Sequence, residues 1–492
     1  MKQSLHDAGL PPGAFSELLS ALERAMPGAV SAALEDRICY SYDATDIRSL
    51  PDVVLWPRKT SEVVAAVCLT GERGVPLVPR GAGTGYTGGS IPVSGGVVLS
   101  FEKMSRILLV DARRRLAVVE PGVVNDELRS EVAPLGLTYP PDPASLRVST
   151  IGGNVAEGAG GPRTVLYGTT RDYVVGLEAV LPDGNVVATG VLSTPRAAGW
   201  DAGPLVVGSE GTLAVITKIA VRLTEVTEEY ATYWAEFSSL EGAATAVSQI
   251  AVSGLPVGVL ELLDRETYAC AVEYVQGHRP TVLPEGALLI ELEGKGEDIA
   301  GAAGLLRSIA AANGSAALRE AASETEREEI WEIRRAISPS LAKVASWKIN
   351  EDLAVPLSTI PKFVRSMREV SKSIGLPILA FGHAGDGNLH VNIMLERGNR
   401  PQMLAARRGV DALFSEALAM GGTLSGEHGI GVTKAEHLTK ELDGVAVALS
   451  IQVKSGFDRT GFLNPHKIIT HRANPWWEDL PPEPERGEPG PC

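Results

Sequence analysis

The 492-residue chain is short of cysteine, of positive charge and of long apolar runs. Its four cysteines, Cys39, Cys68, Cys270 and Cys492, are scattered without a C-x-x-C spacing, which argues against a disulfide framework or a cysteine-held cluster. Lys+Arg 45 against Asp+Glu 60 leaves a net charge of −15, which argues against a nucleic-acid or anionic-membrane partner but leaves room for a local basic pocket. No apolar run reaches about eighteen residues, so no transmembrane segment is expected. The start, M-K-Q-S-L-H-D-A-G-L-P-P, lacks the apolar core of a secretory signal. The expected location is the cytoplasm, with any membrane association made through a partner. With 44% hydrophobic and 21% charged residues, the composition is that of a soluble globular protein, long enough for two or more domains.

What is present is concentrated in a few stretches. Phe381–Leu395 reads F-G-H-A-G-D-G-N-L-H-V-N-I-M-L. The apolar runs Pro377–Phe381 and Val391–Leu395 predict strands, and the turn set Gly385–Asn388 predicts a hairpin that brings His383 and His390 together. Further on, Ser425–Gly431 reads S-G-E-H-G-I-G, with room around Glu427 and His428. His383, His390 and Glu427 form an N,N,O ligand set for a divalent metal with an open position; zinc is the first expectation, and manganese and iron suit similar donors. His428 is then free for proton transfer. The plainer reading, histidines that cap strands or bond backbone in a glycine-rich turn, stands for either segment alone. It weakens when both occur in a chain with eight histidines.

Upstream, short strands alternate with glycine-rich segments. V-V-L-W-P predicts a strand, Ser61–Glu72 an amphipathic helix capped by Thr60 or Ser61, and V-P-L-V-P a second strand. Arg80–Ser90, R-G-A-G-T-G-Y-T-G-G-S, follows. Gly83-x-Gly85-x-x-Gly88 matches the dinucleotide fingerprint in form, with Glu102 as its acid, but that mechanism needs a helix opening at the loop. Pro92 and Gly95-Gly96 disfavour one, so a nicotinamide site is not expected. The glycines still let backbone N–H groups approach a diphosphate; a plain turn is the reading if the loop stood alone. A second glycine-rich loop, Ser149–Gly161, follows the rigid Tyr139–Pro143. After it come Y-G-T-T-R-D, a strand pair around Pro182-Asp183-Gly184, and G-S-E-G-T-L running into a strand. Such a block suits a cofactor with a long diphosphate arm and a large flat ring.

The motifs P-R-G-A-G-T-G-Y-T-G-G, T-I-G-G-N-V-A-E-G-A-G-G, Y-G-T-T-R-D-Y-V-V-G-L-E-A-V-L-P-D-G, G-S-E-G-T-L, G-H-A-G-D-G-N-L-H and S-G-E-H-G-I-G, in this order, resemble the FAD-linked oxidases of the vanillyl-alcohol oxidase / p-cresol methylhydroxylase superfamily. Within it the chain is similar to the D-2-hydroxy-acid branch, which includes the glycolate oxidase FAD subunit and D-lactate dehydrogenases. The resemblance spans roughly Val53 to Ile468. It implies an α+β fold: a two-part FAD-binding domain with an α+β cap domain inserted. It implies that Arg80, Gly81, Ala82, Gly83, Thr84, Gly85, Tyr86, Gly88 and Gly89, with Pro141, Asp142, Thr150, Gly152, Gly153, Asn154, Ala156, Gly160 and Gly161, hold the diphosphate and approach the flavin. Glu210, Gly211 and Ile216 would lie towards the adenosine, and Asn464 near the cofactor. Ala82 and Thr84 stand where some members carry an attaching histidine, so FAD is expected to be non-covalent.

The resemblance also implies that Arg334, in W-E-I-R-R-A-I-S-P-S, grips a substrate carboxylate bidentately, with Lys348 as a second cation. The expected reaction is metal-assisted deprotonation of a small 2-hydroxy acid by His428 with hydride transfer to flavin. Electrons then pass to an acceptor, an iron–sulfur subunit or an electron-transferring flavoprotein among the candidates. A metal-dependent hydrolase and a non-catalytic flavoprotein subunit are the alternatives. The chain departs from the family pattern at Gly158 in the second loop and in the shorter run Gly199–Leu205, both near the flavin face.

The expected division is 1–47 as an N-terminal helical segment, 48–223 as the FAD-binding domain, 224–415 as the cap, 416–470 as the return to the FAD domain, and 471–492 as a disordered Pro- and Glu-rich tail. Trp476-Trp477 is the exception, able to dock on a partner instead. Within the cap, Asp298–Asn313 reads as a helix with Asp298 at its N-cap. Glu320–Leu341 reads as a helix with Ile330, Ile333, Ile337 and Leu341 on one face, beside Arg334 and Arg335.

Overall fold

The structure, a computed structural model, describes residues 13–190, 199–227, 229–469 and 474–477. It is mixed α and β, with a four-stranded and a five-stranded sheet in the part expected to bind FAD, a two-stranded pair of Leu137–Thr138 with Thr224–Glu225, and a seven-stranded sheet in the part expected as the cap. The first sheet holds Val30–Ser31, Val53–Leu55, Val97–Ser100 and Leu77–Arg80 in that spatial order. Its last three strands are parallel, each short and wholly apolar or nearly so, as strands covered on both faces must be. Val30–Ser31 adds an antiparallel edge, so the N-terminal segment contributes a strand as well as the helix Ala14–Ala25. The second sheet is antiparallel: Ile107–Asp111, Leu116–Val119, Val215–Arg222, Val174–Val180 and Val186–Gly190. The C-terminal return runs beside the first sheet, where Leu77 N–H donates to Phe462 O (2.9 Å) and Asn464 N–H to Leu77 O (2.8 Å).

The cap is a seven-stranded sheet in the order Ser315–Glu320, Glu229–Phe237, Gly286–Gly294, Val257–Asp264, Ile378–Gly382, Asn388–Leu395, Trp347–Ala354, with every pair antiparallel. Helices Leu240–Ala251, Gly296–Ala312, Ile360–Ile374 and Arg400–Ala419 cover one face. On the other face, Arg265–Gln276 and Glu324–Ser340 cover only part of the sheet. The rest of that face meets the part expected to bind FAD, as where Arg163 and Tyr167 reach Glu291 and Glu293, and the cap residues expected to form the site lie there.

Several local expectations change. The helix expected at Ser61 begins at Thr60 with Lys59 at the N-cap position, and Thr60 donates its hydroxyl to Glu178 (2.8 Å) instead of capping. The helix expected from Asp298 begins at Gly296, which puts Asp298 in the first turn, where a carboxylate favours the helix dipole. Ser315–Glu320 is a strand, and the following helix starts at Glu324, capped by Ser323. Part of the second glycine-rich loop is the helix Ile151–Glu157, whose cap Thr150 accepts the Gly153 N–H. In the tail, 471–473 and 478–492 lie outside the described residues, but Asn474–Trp477 is packed against the chain. Trp477 is 3% exposed in the cap core, and Trp476 meets Trp347 edge-on at 6.0 Å. The tryptophan pair thus docks within its own chain. No described helix is long and apolar enough to cross a membrane.

Candidate active site

Strand alternation sorts the cap residues. In Asn388–Leu395, Leu389, Val391, Ile393 and Leu395 enter the helix-covered core, which turns His390, Asn392 and Met394 to the opposite face. In Trp347–Ala354, Ile349 and Leu353 enter the same core, leaving Lys348, Asn350 and Asp352 opposite. In Val257–Asp264, Leu260 and Leu262 are on the core side, and Glu261 lies between Val259 and Leu263 on the other. The predicted hairpin is present, with Phe381 paired to His390.

His383, His390 and Glu427 converge. His383 Nε2 is 3.2 Å from Glu427 Oε1, His390 Nε2 is 3.4 Å from the same oxygen, and the two Nε2 atoms are 3.4 Å apart. Three donors at about 2.1 Å from a tetrahedral ion lie about 3.4 Å from one another, so this donor set fits a divalent metal such as zinc. Burial pulls His383 down, but Glu261 and Glu427 more than reverse it and leave it raised well above an ordinary imidazole. Burial, followed by the neighbouring His383 and His428, lowers His390.

His428 sits between two rings, stacked on Tyr86 at 5.0 Å and on His390 at 5.1 Å. Its Nδ1 faces Asp352 Oδ1 at 3.5 Å, and its Nε2 faces Glu427 Oε1 at 3.7 Å. The loop that carries it is held from both sides. On the cap side, Asp352 Oδ2 accepts the N–H groups of Glu427 (2.6 Å) and His428 (2.9 Å), and Asp352 is paired with the buried Lys434. On the other side, Glu210 accepts the N–H groups of Ile430 (2.7 Å) and Gly431 (2.8 Å) from a left-handed backbone conformation, φ 52°.

Arg334 is buried and lines the cavity, but its Nε donates to Glu261 Oε2 at 2.5 Å, so only part of its guanidinium is free for a ligand. Arg335 also borders the cavity, but it is half-exposed and its guanidinium pairs with Glu328. Lys348 donates to Ser338 Oγ (2.7 Å); burial lowers it to about 8, and among the described residues no carboxylate pairs with it.

All of this stands at one end of a cavity of about 960 Å³ that runs between the glycine segments. Of the residues expected to hold the cofactor, Arg80, Gly81, Ala82, Gly83, Thr84, Gly85, Tyr86, Gly89, Asp142, Thr150, Gly152, Gly153, Asn154, Ala156, Gly160, Glu210, Gly211 and Ile216 line it. Gly88, Pro141, Gly161 and Asn464 stand behind the wall. Gly88 packs on Val432, and a Cβ at Gly161 would meet Asp142 O at 2.4 Å. Asn464 ties Gly89 O to Glu210 O through its amide. Ser149 Oγ, Asn154 Nδ2 and Glu157 Oε2, all on lining residues, are buried without a protein partner, as fits a polar cofactor lying against them.

Sequence reasoning missed Tyr42–Ala44, Trp331, Ser338 and Asn350, which also line the cavity, and the two carboxylates Glu261 and Asp352 behind it. For Glu261 the available signal was an acid set inside the apolar run V-G-V-L-E-L-L; Asp352, beside Glu351 in W-K-I-N-E-D-L-A, carried no such signal.

Comparison with known proteins agrees with this architecture. The FAD binding domain model matches residues 51–190, and the model for FAD linked oxidases, C-terminal domain, matches residues 226–468. The chain is 37% identical to glycolate oxidase subunit GlcD of Bacillus subtilis over 89% of this chain and 93% of that one. It is 34% identical to a D-lactate dehydrogenase of Archaeoglobus fulgidus over 85% and 91%. Among solved structures, p-cresol methylhydroxylase with substrate bound superposes with a TM-score of 0.78 at 16% identity, covering 94% of this chain and 98% of that one. The chain belongs to the FAD-linked oxidases of the vanillyl-alcohol oxidase / p-cresol methylhydroxylase superfamily, in the branch of the glycolate oxidase subunit GlcD and the D-lactate dehydrogenases.

Proposed function

We propose that the chain oxidises a small D-2-hydroxy acid, of the glycolate or D-lactate class, to the 2-oxo acid by metal-assisted deprotonation and hydride transfer to non-covalently bound FAD. The observation that carries this reading is the convergence, at one end of a large glycine-walled cavity, of a three-donor metal set, an imidazole and two cations. The names of the relatives support the substrate class.

When bound, the flavin supplies a two-electron acceptor and the divalent ion a Lewis acid that lowers a hydroxyl pKa. His383, His390 and Glu427 would hold the ion. The free part of Arg334 and the ammonium of Lys348 bind the substrate carboxylate, with Ser338 fixing the Lys348 head. His428 takes the hydroxyl proton at Nε2, the nitrogen turned towards the ligand cluster, while Asp352 lies behind Nδ1 and stabilises the imidazolium. Tyr86 and His390 restrain the ring from both faces. The loop Arg80–Ser90 carries no histidine or cysteine, which supports non-covalent FAD.

Electrons leave to an iron–sulfur subunit or an electron-transferring flavoprotein in the cytoplasm; the description of GlcD relatives as subunits supports a partner. A hydrolase would leave the large cavity without an occupant, and a non-catalytic subunit would have no use for the four residues His383, His390, Glu427 and His428.

The test is an anaerobic visible spectrum of the purified chain before and after separate addition of D-lactate, glycolate and D-2-hydroxyglutarate. Bleaching of a flavin spectrum by one of them is the expected result. A colourless protein that takes up no FAD would overturn the reading.

A further inference from the structure

Resting on that reading of the site, we infer that Glu261 is a positioning residue that joins its two halves, setting the metal ligand His383 with one oxygen and the substrate-gripping Arg334 with the other. Glu261 Oε1 is 2.5 Å from His383 Nδ1, and Glu261 Oε2 accepts Arg334 Nε–H at 2.5 Å. The residue is 0% exposed, and its face of the strand is otherwise apolar: Val259 and Leu263 pack there with Ile330, Ile337 and Phe381. A carboxylate in such a layer is strongly disfavoured unless both oxygens are partnered, and breaking such a pairing is destabilising. Here the two partners are the two halves of the proposed chemistry.

Three consequences follow from the geometry. First, Glu261 takes His383 at Nδ1, which leaves Nε2 as the ring nitrogen turned to Glu427 and His390 and able to hold an ion once it carries no proton. An imidazole held in this tautomer by a carboxylate is a stronger and better aimed metal ligand. Second, Glu261 supplies the negative charge that lets a buried guanidinium and a divalent cation occupy neighbouring positions. Without it Arg334 would face the ion as an uncompensated cation. Third, the bond takes Arg334 by Nε and so fixes the plane of the guanidinium, whose Cζ lies 5.3 Å from the Phe381 ring centroid. Glu261 thereby sets where the remaining nitrogens meet a carboxylate.

The residue has a built-in comparison. Glu291, on the next strand and the same face, is equally buried and equally paired, but its partners are Arg163, Arg327 and Trp331 and not a metal ligand. The experiment strips the FAD-loaded full chain with a chelator and titrates it with Zn²⁺ alone, by calorimetry, for wild type, Glu261→Gln, Glu261→Asp and Glu291→Gln. Glu261→Gln keeps the shape and removes the charge. Zinc affinity is expected to fall about 10- to 100-fold. Glu261→Asp keeps the charge but is too short to reach both partners, so an intermediate loss is expected from a milder change should the Gln protein fail to fold. Glu291→Gln is expected to bind zinc as the wild type does. In anaerobic flavin reduction at saturating zinc, Glu261→Gln should also raise the substrate concentration at half-maximal rate more than it lowers the maximal rate.

Wild-type zinc affinity in either Glu261 variant, or an equal loss in Glu291→Gln, would overturn the role given to Glu261. A wild type that binds neither Zn²⁺ nor Mn²⁺ would overturn the metal reading itself and this inference with it. The two failures are therefore distinct.

Discussion

The imidazole of His428 lies flat on that of His390, with ring centroids 5.1 Å apart and planes 13° from parallel. One ring is on the last-but-one strand of the cap sheet and the other on the loop that returns to the FAD-binding part. The stack therefore holds the proposed base against a proposed metal ligand, with Tyr86 closing the other side.

His428→Ala removes the ring but none of the cavity's glycine walls. Flavin reduction by substrate should fall by about 10²- to 10⁴-fold, the range of a lost general base. FAD content, read from the absorbance of flavin released on denaturation, should be unchanged. A near-wild-type reduction rate would remove His428 from the mechanism.

Asp352→Asn should disturb both stability and chemistry. Burial pushes the Asp352 carboxyl up, but Lys434 and then His428 pull it well below the usual carboxylate range. Its folded value is depressed, so its stabilisation is fully present above the unfolded value, about 4, and is lost as pH falls below that. The substitution takes from the buried Lys434 its nearer carboxylate, leaving Glu351 at 3.8 Å, and should lower stability by up to about 3–5 kcal/mol, with the acid-side loss flattened. Thermal melts at pH 3.5, 5 and 7 read this directly, and slower flavin reduction reports the misplaced Glu427–His428 backbone.

Lys348 gives the pH dependence of substrate binding. Burial lowers its ammonium to about 8, and an anionic substrate binds the protonated form. Substrate affinity should therefore weaken as pH rises through 8, and binding near pH 8 should take up a proton. Lys348→Met should raise KM by about 10- to 100-fold, as expected for a lost charged hydrogen bond, and abolish the pH dependence. Stopped-flow reduction between pH 6.5 and 9.5 measures both.

Trp477→Ala tests the packed part of the tail. The side chain is almost wholly buried in the cap core, so the substitution should lower stability by about 3–5 kcal/mol and shift the thermal midpoint down by several degrees. A midpoint equal to wild type would mean that this packing contributes nothing in solution.

The most legible parts were those whose chemistry is contiguous. G-H-A-G-D-G-N-L-H places two imidazoles on one hairpin within a few residues, and strand alternation alone then sets His390 opposite the apolar Val391. The glycine runs announced a backbone that must approach a ligand closely, although the sequence did not reveal that Ile151–Glu157 would wind into a helix. The capping positions were misplaced at Thr60 and Asp298 because a side chain able to cap is not obliged to. Thr60 found Glu178 on a strand far along the chain, and Asp298 fell within the first turn.

By itself the sequence determined many of the elements, the glycine walls and the identity of the metal-type donors, since each depends on residues near in the chain. Tertiary structure alone decided how they are held together. Glu261 meets Arg334 across 73 positions and His383 across 122, Asp352 meets His428 across 76, and Trp477 closes a core built from the cap. No local pattern encodes such partners. A buried carboxylate is tolerated only where the completed fold brings it a cation and a hydrogen-bond donor, and that meeting exists only once the sheet has formed.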